Sequence, residues 1–123
     1  MKSVVLIHQD AGKATPWVRA ANDLDQAYRV RSASGAEEAI ALVQDAESRE
    51  IPPALIIVEA DIPDIEAVSA LRQLRTAEAT CLIPVLRIGN APPNSAFNSS
   101  VHLNGPDATA GILTYWLTVN LGP

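Results

Sequence analysis

Apolar residues fall in short unbroken runs along this chain, and between the runs they recur at the spacing of a helix face. The first run, Val4 to Ile7, contains no polar residue, as expected of a strand covered on both sides. Tyr28 to Ser32 is a weaker run in which Arg29 and Arg31 alternate with Tyr28 and Val30, the pattern of an edge strand. Leu55 to Val58 is the most apolar run and predicts a central strand; Ile83 to Ile88 predicts the fourth and Val101 to Leu103 the fifth. Thr15 caps a helix with Pro16 in its first position, running through Trp17, Val18, Ala21 and Leu24. Ser34 starts the next, Glu37 completes a capping box, and Ala39, Ile40, Leu42 and Val43 carry its buried side to about Arg49, ahead of Pro52 and Pro53. After a loop ending near Asp64, the spacing of Ile65, Val68, Leu71 and Leu74 predicts a third helix with Arg72 and Arg75 in water. Pro92 and Pro93 leave only a short, weak helix between Ala91 and Ser100, and Asp107 opens a last one to about Leu121. Strands alternating with helices predict a parallel sheet covered on both faces.

Length and charge narrow the function. With 123 residues the chain is one domain, 1–123, and can bury a core without staples. Only 4% of it is aromatic, so Ala, Val, Ile and Leu must fill that core. The net charge of −5 and the scattered basic residues argue against a nucleic-acid partner. The lone Cys81 excludes an internal disulfide, and no apolar run approaches the roughly 20 residues of a membrane span. No secretory signal pattern follows Met1, so a cytoplasmic protein without membrane partners is expected.

Candidate chemistry is sparse. Gly12 and Lys13 lie between a strand and a helix, yet a phosphate-binding loop would need Gly where Ile7 stands and Ser or Thr where Ala14 stands. Cys81 sits beside apolar neighbours and reads as a buried, inert thiol, with no base placed to activate it. His102 has no Cys or second His at ligand spacing, so no metal site is expected. Asp61, Asp64 and Glu66 read as a solvated acidic loop.

The string PALIIVEADIPDIEAVSALRQLR resembles the receiver family of response regulators, whose third strand ends in a phosphoacceptor Asp with Pro four residues later. Here those positions hold Glu59 and Pro63. VVLIHQD resembles the family's first strand, IPVLRIG the fourth, and VHLNGP the fifth with its following proline, so the likeness spans the chain. It implies a flavodoxin-like sheet of five strands in the order 2-1-3-4-5, with a shortened fourth helix. It also implies a site that has lost its chemistry. Receivers hold Mg²⁺ with an acidic pair after strand one and neutralise an acyl phosphate with a hydroxyl and a lysine. In this chain the pair is His8 and Gln9, the nucleophile Glu59, the hydroxyl residue Gly89 and the lysine Gly105. Asp10 survives as the residue after the pair, and His102 stands where an aromatic switch residue often sits. His8 is placed to pair with Glu59 or Asp10, and a hydrogen-bonded structural histidine is the plainer role.

The expectation is a phosphorylation-independent pseudo-receiver, without enzymatic activity or cofactor, that binds protein in two-component-type signalling. One alternative is an atypical receiver still phosphorylated, or mimicking that state through Glu59. Another is a small-ligand domain using a crevice lined by His8, Gln9, Glu59 and Gly89. The docking surface is expected on the last helix and fifth strand. There Ile112, Trp116 and Val119 share one face with Ala108, leaving Ala110, Leu113, Leu117 and Leu121 as a second apolar row. A protein partner or a second copy of the chain would cover it.

Overall fold

The computed structural model describes residues 2–23, 28–88 and 99–101. Four parallel strands, β1 (Lys2–Ile7), β2 (Tyr28–Ala33), β3 (Pro53–Val58) and β4 (Val85–Ile88), lie in the order β2-β1-β3-β4. A three-residue segment, β5 (Ser99–Val101), pairs parallel to the outer side of β4, with Leu86 opposite Ser99. This ladder begins two residues before the expected Val101 to Leu103; residues 102 and 103 lie outside the described residues, as do the weak helix expected over 91–98 and the whole last helix.

Strand parity builds two cores. Val4, Leu6, Leu55, Ile57, Leu86 and Ile88 point to one face, where α1 (Thr15–Asp23) lays Trp17, Ala20 and Ala21 over them. Val5, Ile7, Ile56, Val58 and Val85 point to the other, under α2 (Ala36–Gln44) and α4 (Asp64–Thr76). Both faces are dry, which is why the strands read as unbroken apolar runs.

The helices depart from their expected faces. On α1, Val18 is exposed and Ala20 takes the buried place. On α4, Ala67, Ala70, Leu71 and Leu74 are buried while Ile65 is 86% exposed. Small alanines let the helix sit close to the sheet, and this turns Ile65 outward. The helix expected from Ser34 to Arg49 is two: α2, and a single turn α3 (Glu47–Glu50). The expected capping box is not formed: the N-cap is Gly35, and Ser34 bonds Glu38 rather than Glu37. Ser34 Oγ–H and N–H donate to Glu38 Oε2 at 2.7 and 3.3 Å, and they hold the Glu38 carboxyl below its usual range.

The break after α2 is organised by Arg31, which is not in open water as expected of an edge-strand arginine. Its Nη1 donates to Leu42 O at 3.1 Å and to Ser48 Oγ at 3.1 Å, and its guanidinium pairs with Asp45 and Glu47. The Leu42 carbonyl, which accepts the C-cap Asp45 N–H at 3.4 Å, also accepts Ser48 Oγ–H at 2.6 Å. Hydrogen bonding from Arg31, ahead of the other contacts, depresses the Asp45 carboxyl to about 2. Cys81 is half-buried, with its thiol 3.5 Å from Glu78 O.

Candidate functional site

The carboxyl ends of β1 and β3 and the turns that follow them bring four of the expected residues together: His8, Gln9, Asp10 and Glu59. Glu59 N–H donates to Ile7 O at 2.9 Å, extending the β1–β3 ladder by one bond. Continuing the parity of Leu55 and Ile57, the Glu59 side chain turns to the α1 face and is only 3% exposed. There Trp17 Nε1–H donates to Glu59 Oε2 at 2.7 Å, and Ala60 N–H donates to Oε1 at 3.0 Å. Trp17 is itself fully buried, and its carbonyl accepts the Tyr28 hydroxyl at 3.1 Å. A carboxylate this enclosed persists only with such donors.

Asp64 is exposed as expected, but Asp61 is only half in solvent. Asp61 Oδ2 accepts the backbone N–H groups of Gln9 at 3.0 Å and Asp10 at 2.7 Å, tying the loop after β3 to the loop after β1. Gln9 Nε2 reaches Glu66 Oε2 at 3.2 Å across the same gap. Asp10 Oδ1 accepts the Gly12 N–H at 2.9 Å, capping the 3-10 turn Ala11–Lys13. His8 takes the plainer structural role: its Nδ1–H donates to the main-chain carbonyl of Asp10 at 3.0 Å rather than to a carboxylate.

Arg87, which sequence reasoning passed over, holds the loop from beneath. By parity it lies on the α4 side, 3% exposed, with Nη1 donating to Glu59 O at 2.8 Å and Nη2 to Ile62 O at 2.7 Å. Asp64, in the first turn of α4, pairs with the same nitrogen at 3.0 Å. A charge inside the apolar run of β4 was the signal for it.

Solved structures sharing this architecture align along nearly the whole chain. The response regulator Rcp1 in its Mn²⁺-bound form superposes with a TM-score of 0.74 at 16% identity, covering 100% of this chain and 99% of that one. The chain has the receiver fold. A response regulator from Hahella chejuensis gives 0.73 at 19% identity, with 98% of each chain covered. The receiver domain of the sensor histidine kinase PA1611 from Pseudomonas aeruginosa, whose structure carries magnesium in its active-site cleft, gives 0.69 at 17% identity over 94% of this chain and 97% of that one. No protein-family model matches the sequence, and no curated protein does.

A receiver's Mg²⁺ site does not fit the residues present here. His8 and Gln9 offer nitrogen and amide where hard anionic oxygens are needed, Asp10 and Asp61 spend an oxygen on backbone amides, and Glu59 faces Trp17. Among the described residues no three His, Cys, Asp or Glu side chains are grouped so as to hold a metal ion. Gly89, His102, Gly105, Ala110, Leu113, Leu117 and Leu121 lie outside the described residues. No described helix is long and apolar enough to cross a membrane.

Proposed function

We propose that this chain is a pseudo-receiver: a phosphorylation-independent protein-binding module of two-component-type signalling. The observation that carries the reading is the pairing of Glu59 with Trp17. In-line attack on a phosphodonor needs a carboxylate open to solvent with a metal beside it. At the acceptor position this protein instead has a carboxylate 3% exposed with both oxygens engaged. The receiver fold supplies the link to signalling, since the comparable structures above are response regulators and a histidine-kinase receiver. Binding is assigned to the fifth strand and the helix expected after it, where sequence spacing predicts that Ala110, Leu113, Leu117 and Leu121 make an apolar row without charge.

Intact-mass analysis after incubation with Mg²⁺ and a small-molecule phosphodonor tests the inactive site. The mass stays unchanged on this reading; an acid-labile phosphate adduct on Glu59 sinks it.

A further inference from the structure

A second surface lies on the opposite face of the sheet from Trp17. Between α2 and α4 runs a cleft of about 320 Å³ whose floor is Ile7, Ala36, Ile62 and Ala70, all buried in the core. Ile65 stands on its lip with 86% of its surface in water. A bulky apolar side chain left bare beside an apolar floor marks a surface made to be covered.

The charges around the cleft say what would cover it. Glu66 lines the α4 wall. On the α2 side the lining residue is Ser34, whose hydroxyl donates to Glu38 outside the lining. Their hydrogen-bond donors are neutral, Gln9 for Glu66 and Ser34 for Glu38. Among the described residues neither is in an ion pair, whereas Asp45, Glu47 and Asp64 all are. Glu66 thus stands beside the apolar floor with a neutral donor only. Further along α4 the depression continues past Ser69 and Gln73 to Arg72 and Thr76, so its far end is basic.

We propose that the α2–α4 cleft is a docking site for an amphipathic helix of a partner protein, which sets an aliphatic side chain on Ile7 and Ile62 and Lys or Arg beside Glu66. Helix-in-groove recognition uses anchors one turn apart, and the spacing of Glu66 and Arg72 along α4 asks for a partner that is basic at one end only. The net charge of −5 would speed the approach of such a helix. This surface is independent of the last helix and of the state of Glu59, so its failure would leave the pseudo-receiver reading standing.

The test is a titration of the ¹⁵N-labelled chain with synthetic helical peptides about four turns long. They carry leucines one turn apart, and lysines at the amino end, at the carboxyl end or at neither, with glutamate-for-lysine versions as controls. The expected result is saturable shifts in the amides of Ser34, Gly35, Glu66 and Gln73 with one lysine-ended series only, weakened at least tenfold in Glu66→Lys and by raised salt. Ile65→Asp, an exposed position whose change spares the core, weakens it likewise. Equal binding of lysine and glutamate peptides, shifts confined to other surfaces, or no saturable binding by any lysine peptide would each overturn the proposal.

Discussion

Removing the Trp17 indole N–H while keeping an aromatic ring isolates the contact that closes the acceptor position. In Trp17→Phe, Glu59 Oε2 loses its 2.7 Å donor in a place where water does not reach. A hydrogen bond to a charged group contributes about 1.5–3 kcal/mol. The smaller ring adds a cavity term of about 1 kcal/mol, bringing the expected loss to roughly 2.5–4 kcal/mol. With a urea slope of about 1–2 kcal/mol/M for a domain of this size, the midpoint falls by roughly 2 M. Part of that loss belongs to the ring and part to the bond, so the partner must be changed as well. Glu59→Met removes the charge at similar volume, and in the double variant neither polar group is left orphaned. The cycle, followed by circular dichroism in urea, should return a coupling of about 1.5–3 kcal/mol. If Trp17→Phe costs less than about 1 kcal/mol and the two changes add, the buried bond is not what holds Glu59 in place.

Arg87→Met should cost about 2–3 kcal/mol in the same denaturation assay, because it removes the buried donor to Ile62 O and leaves Glu59 O with the Ile62 N–H alone. Asp64→Asn should cost under about 1 kcal/mol, since Asp64 is 62% exposed and its pair with Arg87 is screened. The Asp45 carboxyl is depressed in the folded protein, so its contribution is complete above the ordinary carboxylate range and is lost as pH falls from about 4 toward 2. Thermal melts across that window should show a smaller decline for Asp45→Asn than for the wild type. Sedimentation equilibrium over a wide concentration range should find self-association that Leu117→Glu abolishes, if the apolar row of the last helix meets its like; two monomeric samples would leave a different protein as the partner.

The strands were legible because their chemistry is local. A parallel strand dry on both sides must be largely apolar, and β1, β3 and β4 announce themselves that way, with Ser3 and Arg87 the buried polar exceptions. The closing contacts were not legible, because they join residues far apart in the chain: Trp17 and Glu59 are separated by 42 positions, Gln9 and Asp61 by 52. Trp17 read as a core residue, and nothing in its neighbourhood revealed that its one polar atom would find a carboxylate. The split between α2 and α3 has the same cause. Local periodicity continues past Asp45, and Arg31, 14 residues upstream, joins Ser48 in making the end of the helix there favourable. Helix rotation failed on α4 for a different reason. Alanine satisfies either side of a helix, so counting apolar positions placed Ile65 inward, while close packing of Ala67 and Ala70 turned it out.

If the proposed reading holds, a module with Glu59 sealed beneath Trp17 would have no chemical memory of an upstream event and no timer set by hydrolysis. Its influence on a partner would then be governed by supply alone. Occupancy follows how much of each protein the cell makes and how long each survives, and a tenfold change in amount equals about 1.4 kcal/mol of affinity. Such a protein would be tuned by synthesis and proteolysis, on the timescale of growth rather than of phosphotransfer.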